Sequence, residues 1–267
     1  MKPIKVVIYG ALGRVGREVV SALCQESEMQ VVGAVDLKAS EAYLPLPDGS
    51  GEIPISNDLN DILSKHQTDV LVDFSIAEAT MPAARIAAKQ GINLVIGTTG
   101  LAIDNIDEIE RLSKDNKIGI VLAPNFALGA VLMVHLSRIA AKYLDSAEII
   151  ELHHHLKVDS PSGTALSTAK AMAEARGKPF SRSPEPVKKS SSCGEEVEGV
   201  AIHSVRLPGL MAHQEVILGA AGQTLRIRHD TISRECYIPG VLLAIKEVVK
   251  RQGLIYGLDT LLNLEGK

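Results

Sequence analysis

The stretch ELHHHLKVDSPSGTAL, residues 151–166, sets three histidines and a lysine beside a small-residue turn. Such side chains give and take protons, and a lysine near a histidine eases delivery of one, because neighbouring like charges depress pKa values toward neutrality. His153 and Lys157 are therefore the candidates for proton transfer. If 147–155 is a strand, His153 and His155 share one face and His154 takes the other, with Lys157 on the His153 side if the strand continues. DSPSG is a turn signal, and Thr164–Arg176 carries Ala, Leu and Met at helical spacing behind Ser162 as N-cap. Gly163 and Thr164 would then offer backbone N–H groups and one hydroxyl to an anion, most naturally a carboxylate. Plainer roles stay open: exposed strand histidines, or an H-x-H metal pair, for which no third ligand with matching spacing is evident. No metal is expected. Asp159 and Ser162 read as fixing the turn.

A second candidate site opens the chain. Gly10, Gly13 and Gly16 form G-x-x-G-x-x-G after the β-branched run Ile4–Tyr9 and before a helical pattern at Val15, Val19, Ala22 and Leu23. A tight turn after a strand needs a residue tolerant of unusual φ, and a pyrophosphate must approach the backbone closely. The helix N-terminus adds unpaired N–H groups and partial positive charge. Asp36 lies 20 residues beyond Gly16, at the end of the strand pattern Val31–Val35, where an acid can bond the ribose hydroxyls of NAD. Leu37 follows it, so carboxylate repulsion disfavours a 2′-phosphate unless Lys38 offsets it. The cofactor is NADH or NADPH. GTTG (97–100) and APNF (123–126) also end strand patterns, the side of an open α/β sheet on which ligands sit.

The elements positioning these residues alternate. Strand, glycine turn, helix and strand make a βαβ unit, suited to a parallel sheet covered on both faces. Residues 69–75, 92–100 and 118–124 continue as strands. A helix is expected over 76–91, interrupted or bent near Pro82, and another over 106–116. Residues 39–57 read as irregular loop. After Asn125 one helix precedes the longer strand runs AEIIELHHH, GVAIHSVRL, QEVILGAAG and QTLRIRHD, which imply an antiparallel or mixed sheet and a second domain. Residues 178–199 read as a mobile surface loop, and GVLLAIKEVVKRQG as a final helix able to pack on either domain.

Bulk properties narrow the classes. A formal charge of −4 and 3% aromatics without Trp argue against a nucleic-acid partner. Three scattered cysteines suggest neither a disulfide framework nor a zinc ribbon, and fit a cytoplasmic protein. No signal peptide and no apolar span for a membrane is expected.

With these motifs in place, the chain resembles the 4-hydroxy-tetrahydrodipicolinate (dihydrodipicolinate) reductase family of the bacterial and plant lysine pathway. ELHHHLKVDSPSGTAL is close to that family's E-x-H-H-x-x-K-x-D-A-P-S-G-T-A, supported by GALGRVG, VDFS, VIGTTG, APNFALGAVLM and IRHDTISRECYIPGV. The resemblance implies His153 as acid/base, Lys157 as proton donor, and His154, Gly163 and Thr164 on the carboxylates of a cyclic dicarboxylate. It implies that Gly10, Ala11, Leu12, Gly13, Arg14 and Val15 hold the pyrophosphate and Asp36 the adenosine ribose. Gly97, Thr98 and Thr99 with Ala123, Pro124, Asn125 and Phe126 would line the nicotinamide side. The implied fold is α/β, a Rossmann-type domain (1–126 plus 235–267) with an inserted mixed α/β domain (127–234) for substrate and a homotetramer. The implied reaction is NAD(P)H-dependent reduction of the dehydrated substrate. Two departures stand out: Ser160 replaces the usual Ala, and Leu37 stands where some members carry Arg. On the residues alone, another two-domain dehydrogenase, or a nucleotide-binding regulator without turnover, stays open.

Overall fold

In the computed structural model, which describes residues 2–181 and 193–264, the short β-branched runs become strands buried on both faces. One unit spans 1–128 and 234–267, the other 129–233. The first contains β1 (Ile4–Tyr9), α1 (Arg14–Leu23), β2 (Met29–Val35), β3 (Tyr43–Pro45), β4 (Glu52–Ser56), α2 (Leu59–Lys65), β5 (Val70–Asp73), α3 (Ala77–Lys89), β6 (Asn93–Ile96), α4 (Ile103–Asn116) and β7 (Gly119–Leu122). The second contains most of α5 (Leu128–Ala141), then β8 (Ser146–His153), α6 (Gly163–Arg176), β9 (Glu195–Val197), β10 (Val200–Arg206), β11 (Ala212–Ala220) and β12 (Gln223–Thr231). The chain returns to the first unit through a 3-10 turn at Arg234–Tyr237, then α7 (Ile238–Val248), β13 (Gly253–Tyr256) and α8 (Leu258–Leu261).

The first sheet runs β13-β7-β6-β5-β1-β2-β4-β3, parallel throughout except the β3–β4 pair. β1 pairs with β2 on one side and β5 on the other, so the strand order reverses there. That is the switch point of a Rossmann-type sheet, where a ligand crevice opens beyond the carboxyl ends. The glycine turn follows β1 directly. On α1 the buried stripe is Gly16, Val19, Val20 and Leu23, one step round from the expected Val15 and Ala22.

Three expectations need correction. Residues 39–57 are not wholly irregular: β3 and β4 form there, with Ile53 and Ile55 buried at strand spacing around Pro54. Pro54 and the neighbouring glycines mask that alternation, and β4 sits near the sheet edge, where proline is tolerated. α3 is not interrupted at Pro82, interruption being one of the two outcomes expected there. Proline there forfeits about 3 kcal/mol, offset by burial of Met81, Ala83, Ala84, Ala87 and Ala88 against the sheet. Within 178–199, Phe180 is buried in the second core and Glu195–Val197 forms β9, while 182–192 lies outside the described residues.

The second sheet runs β12-β11-β8-β10-β9 and is mixed, with β8 and β10 parallel and the other pairs antiparallel. Ala147, Ile149 and Glu151 occupy the buried phase of β8. The first two pack with Ala165, Ala169 and Met172 of α6. Glu151 is a carboxylate where the pattern calls for an apolar side chain.

The last long helix belongs to the first unit. α7 packs on α1, β6 and β7 and buries Val241, Ala244, Ile245 and Val248. Its closest approach is at Gly240, where an added Cβ would lie 2.2 Å from the Phe126 carbonyl oxygen. Gly240→Ala gains about 1 kcal/mol of helix propensity, and the overpacking costs about 1–3 kcal/mol. We expect net destabilisation, read as a lower urea midpoint at unchanged slope; an equal or higher midpoint would show that the helix is not pinned there.

Candidate functional site

In the first unit the turn after β1 is built by backbone crowding. Gly10 has φ +83°, and a Cβ on it would sit 2.7 Å from the Phe74 carbonyl oxygen at the end of β5. A Cβ on Gly16 would lie 2.1 Å from the Gly10 carbonyl oxygen, so the helix start and the turn touch without room for a methyl group. Most amides of the turn already have acceptors. Gly10 N–H and Ala11 N–H donate to Val35 O, at 2.8 and 3.2 Å, and Gly13 N–H donates to Gly10 O at 3.0 Å. Leu12 N–H donates to Asp36 Oδ2 at 2.9 Å, and Lys38 N–H to Asp36 Oδ1 at 3.0 Å. Asp36 is thus held beside the turn by two backbone donors. Arg14 and Val15 fall in the first turn of α1, which no side chain caps; amides at that position have no intrahelical acceptor and can receive an anion. The chemistry of the site fits a dinucleotide: uncapped amides for pyrophosphate and a fixed carboxylate for a ribose.

Two further loops end neighbouring strands. Gly97 packs against the Phe74 ring, and its N–H donates to Asp73 O at 2.9 Å. Thr98 is buried and donates from Oγ1 to Asp73 Oδ1 at 3.1 Å, whereas Thr99 is exposed. Ala123 is buried and its N–H donates to Ile96 O at 3.1 Å; Pro124 is exposed. Asn125 Oδ1 accepts from Ala127 N–H at 2.9 Å, and Phe126 packs edge-on against Phe74 with centroids 5.6 Å apart. Asp73 and Phe74 were not singled out from the sequence, although VDFS was. Burial pushes the Asp73 carboxyl up, and hydrogen bonds from Ser75 and Thr98 pull it back only in part.

In the second unit β8 ends at His153, so the expected alternation through 155 does not hold. His153 O accepts from Leu207 N–H at 3.1 Å, and Lys157 N–H closes a turn onto His154 O at 3.1 Å. The turn, not the pleat, therefore sets where Lys157 points. His153 is mostly buried, His155 is exposed, and His154 is half-buried. Lys157 Nζ pairs with Asp159 Oδ1 at 2.7 Å. Ser162 caps α6, accepting from Ala165 N–H at 3.2 Å, and Gly163 and Thr164 follow as the first helical residues. A Cβ on Gly163 would meet nothing within 4 Å. Ser160 is exposed, so the departure from Ala meets no packing constraint. Among the described residues no group of three His, Cys, Asp or Glu could hold a metal ion.

Beneath these groups lies Glu151, a residue the sequence reading passed over. Its Oε2 meets His153 Nδ1 at 2.5 Å and accepts from Arg206 Nη1 at 2.9 Å. Its Oε1 accepts from Arg206 Nη2 at 2.8 Å and from Ser162 N–H at 3.2 Å. Arg206 Nη2 also donates to the Asp159 carbonyl at 2.7 Å. A charged residue on the buried phase of β8 was the available signal; nothing local pointed to Arg206.

Comparison with known proteins identifies the family of the chain. The family model described as dihydrodipicolinate reductase, N-terminus, matches residues 4–126, and the C-terminus model matches 129–262. A 4-hydroxy-tetrahydrodipicolinate reductase of Dehalococcoides mccartyi is 60% identical, covering 99% of this chain and 100% of its own. One from Moorella thermoacetica is 47% identical, with 97% and 98% covered. Among solved structures, a dipicolinate-bound dihydrodipicolinate reductase from Paenisporosarcina sp. TG-14 superposes with TM-score 0.84 at 34% identity, covering 96% of this chain and 98% of that one. An amine dehydrogenase from Mycobacterium smegmatis, at 15% identity and TM-score 0.67, shares the fold.

The electrostatics of Glu151 generate a testable pH dependence. Burial pushes its pKa up, but hydrogen bonds from His153, Arg206 and Ser204 outweigh burial and hold the carboxyl at about 2, against 4.5 for the free side chain. The folded state binds fewer protons between those values, so the stabilisation is complete above pH 4.5 and is lost as the pH falls through about 2. Its size is about 3 kcal/mol at ~1.4 kcal/mol per pKa unit. Urea midpoints of the full chain measured by circular dichroism from pH 5 downward should fall over that window, and Glu151→Gln should flatten the slope. An unchanged slope in the variant would mean that other carboxyl groups carry the acid response.

Proposed function

This chain belongs to the dihydrodipicolinate reductase family, and we propose that His153 and Lys157 are its proton-transfer pair and that Gly163 and Thr164 cradle a substrate carboxylate. The activity is 4-hydroxy-tetrahydrodipicolinate reductase: nicotinamide-dinucleotide-dependent reduction of the dehydrated substrate to tetrahydrodipicolinate, a step of lysine and diaminopimelate biosynthesis. The single observation that carries the site reading is the convergence on one buried carboxylate of the His153 ring and the amide of Ser162 at the start of α6.

Each residue has a task set by its chemistry. When bound, the dinucleotide supplies the hydride. Arg14 and Val15 amides take its pyrophosphate, Asp36 takes the adenosine ribose, and the loops Gly97–Thr99 and Ala123–Phe126 line the nicotinamide side. Asp36, already fixed by two backbone donors, suits the free 2′-hydroxyl of NADH, and Lys38 supplies a charge that lets NADPH serve as well. Lys157 protonates the reduced ring, directly or with His153 behind it, and its charge with the amides of Gly163 and Thr164 offsets the two carboxylates. His154 is the further polar contact to the substrate.

Residues 1–126 with 235–267 form the dinucleotide domain in this reading, and 127–234 the substrate and assembly domain. A homotetramer fits the long edge strand β12 and the exposed Leu132, Leu136 and Ile139 of α5. A cytoplasmic location follows from the need for reduced nicotinamide. Among the described residues no helix is long and apolar enough to cross a membrane.

The direct test is oxidation of NADH and of NADPH with substrate freshly made by the preceding synthase. Lys157→Ala should lower kcat by on the order of 10²–10⁴-fold; full turnover in a folded variant would remove Lys157 from the chemistry. Gly163→Ala is expected to leave thermal stability unchanged or raised, because the site is open and helical, while raising the substrate KM. An unchanged KM would show that no ligand approaches that backbone.

A further inference from the structure

Glu151 has no task in the reaction as described, yet both of its oxygens are bound by buried or half-buried donors. It is fully buried: the His153 ring and Arg206 Nη1 meet Oε2, Arg206 Nη2 and Ser162 N–H meet Oε1, and Ser204 adds a further hydrogen bond. We propose that Glu151 is the positioning residue of the proton-transfer site, fixing His153 in the tautomer that carries its proton on Nδ1 and leaves Nε2 to exchange a proton with substrate. The proposal rests on the acid/base reading of His153 and deepens it.

The argument is one of donors and acceptors. An ionised carboxylate only accepts, so the contact at 2.5 Å requires a proton on Nδ1. Nε2 is then the ring atom whose proton is free to come and go. Arg206 keeps Glu151 ionised and also grips the Asp159 carbonyl, in the residue whose carboxylate pairs with Lys157. Register makes this possible: parallel pairing sets Arg206 against His153 and Ser204 against Glu151. On the other side Ala212 faces His153, and the next residue, His213, is itself paired with Asp230. The same carboxylate receives the Ser162 amide, so the ring and the start of the anion cradle are tied to one point. A buried ion pair is poor evidence of a stabilising role, since apolar replacements often do as well. A role in orientation accounts for a charge placed where the strand pattern calls for an apolar residue.

Glu151→Gln separates this from a purely structural role. The oxygen that faces both Ser162 N–H and Arg206 Nη2 keeps its acceptor role, so the amide nitrogen falls opposite His153 Nδ1; it also meets Arg206 Nη1 there, one donor–donor clash where the flipped amide would make two. That nitrogen donates, Nδ1 must accept, and the ring is forced into the Nε2–H tautomer. Full-length Glu151→Gln, Glu151→Asp, His153→Gln and the Glu151→Gln/His153→Gln double variant would be assayed with NADH. Ring ¹⁵N shifts of His153 would be assigned by difference against His153→Gln. The expected result is a kcat loss on the order of 10²–10⁴-fold in Glu151→Gln, with the KM for NADH unchanged. The tautomer should switch, Glu151→Asp should recover part of the loss, and the double variant should be no slower than His153→Gln. Wild-type kcat with an unchanged ring tautomer in folded Glu151→Gln would overturn the proposal, as would losses that multiply in the double variant. Full turnover in His153→Gln would instead overturn the acid/base reading itself, whatever the ring shifts show of Glu151. If Glu151→Gln does not fold, the wild-type ring decides alone: Nδ1–H supports the proposal and Nε2–H overturns it.

Discussion

A carboxylate shut away from water is tolerable only when its lone pairs meet donors, and that requirement organises the second unit. Glu151 lies on the buried phase of β8, so its donors must come from the chain itself. They come from three places: two residues along the same strand, the amide that opens α6, and a guanidinium and a hydroxyl on the neighbouring strand. Each bond constrains a different element. The strand cannot slip by one residue without turning Glu151 to the other face. The helix cannot start elsewhere without leaving Oε1 short of a donor. Losing Arg206 would strand a charge in the interior, a loss of about 3–5 kcal/mol. The geometry of His153 and of the turn that follows is a consequence of solving this desolvation problem.

The first unit meets a different constraint, backbone against backbone. The carboxyl ends of β1 and β5 are adjacent, and Gly10 and Phe74 leave them in near contact. The Phe74 ring then takes up the space between the loops after β6 and β7, with Gly97 against it and Phe126 edge-on. What looks from the sequence like three separate loops is one packed cluster. Its polar counterpart is Asp73, whose carboxylate and carbonyl together hold Ser75, Thr98 and Gly97. Asp36 does the same for the glycine turn. Here too a carboxylate fixes loop backbone, so both units use buried or half-buried acids to hold otherwise irregular segments.

How far the sequence could be read follows from the range of each interaction. The βαβ start, the alternation of strands and helices and the N-cap at Ser162 are legible, because each depends on neighbours within a few residues, whereas the parallel pair that makes the second sheet mixed joins distant strands. α2 and β13 went unread, as did β3 and β4. They are short, and their burial is decided by strands far away in the chain: β13 pairs with β7, and β4 meets β2 over two residue pairs. The helix is not interrupted at Pro82 for the opposite reason, since a local penalty is outweighed by burial of alanines on the sheet side. The strand expected through 155 ends at His153. The pattern stays histidine throughout, and only the return of Leu207 and Met211 shows where the ladder stops.

The candidate site divides along the same line. His153, Lys157, Gly163 and Thr164 sit within twelve residues, so their types and spacing can be recognised as a motif. The groups that give them geometry do not. Arg206 is 55 residues from Glu151, and reaches it only because β8 and β10 pair in parallel with a connection that contains α6. This crossover carries α6, which is how the anion cradle at the head of that helix comes to begin at the same carboxylate. The chemistry-bearing residues are thus local because a turn can gather them. Their support is distant because only a sheet can supply a charge to a buried partner. A reading of motifs alone will name the groups that touch substrate and miss the acid that orients them, unless it also asks why a strand would bury a charge.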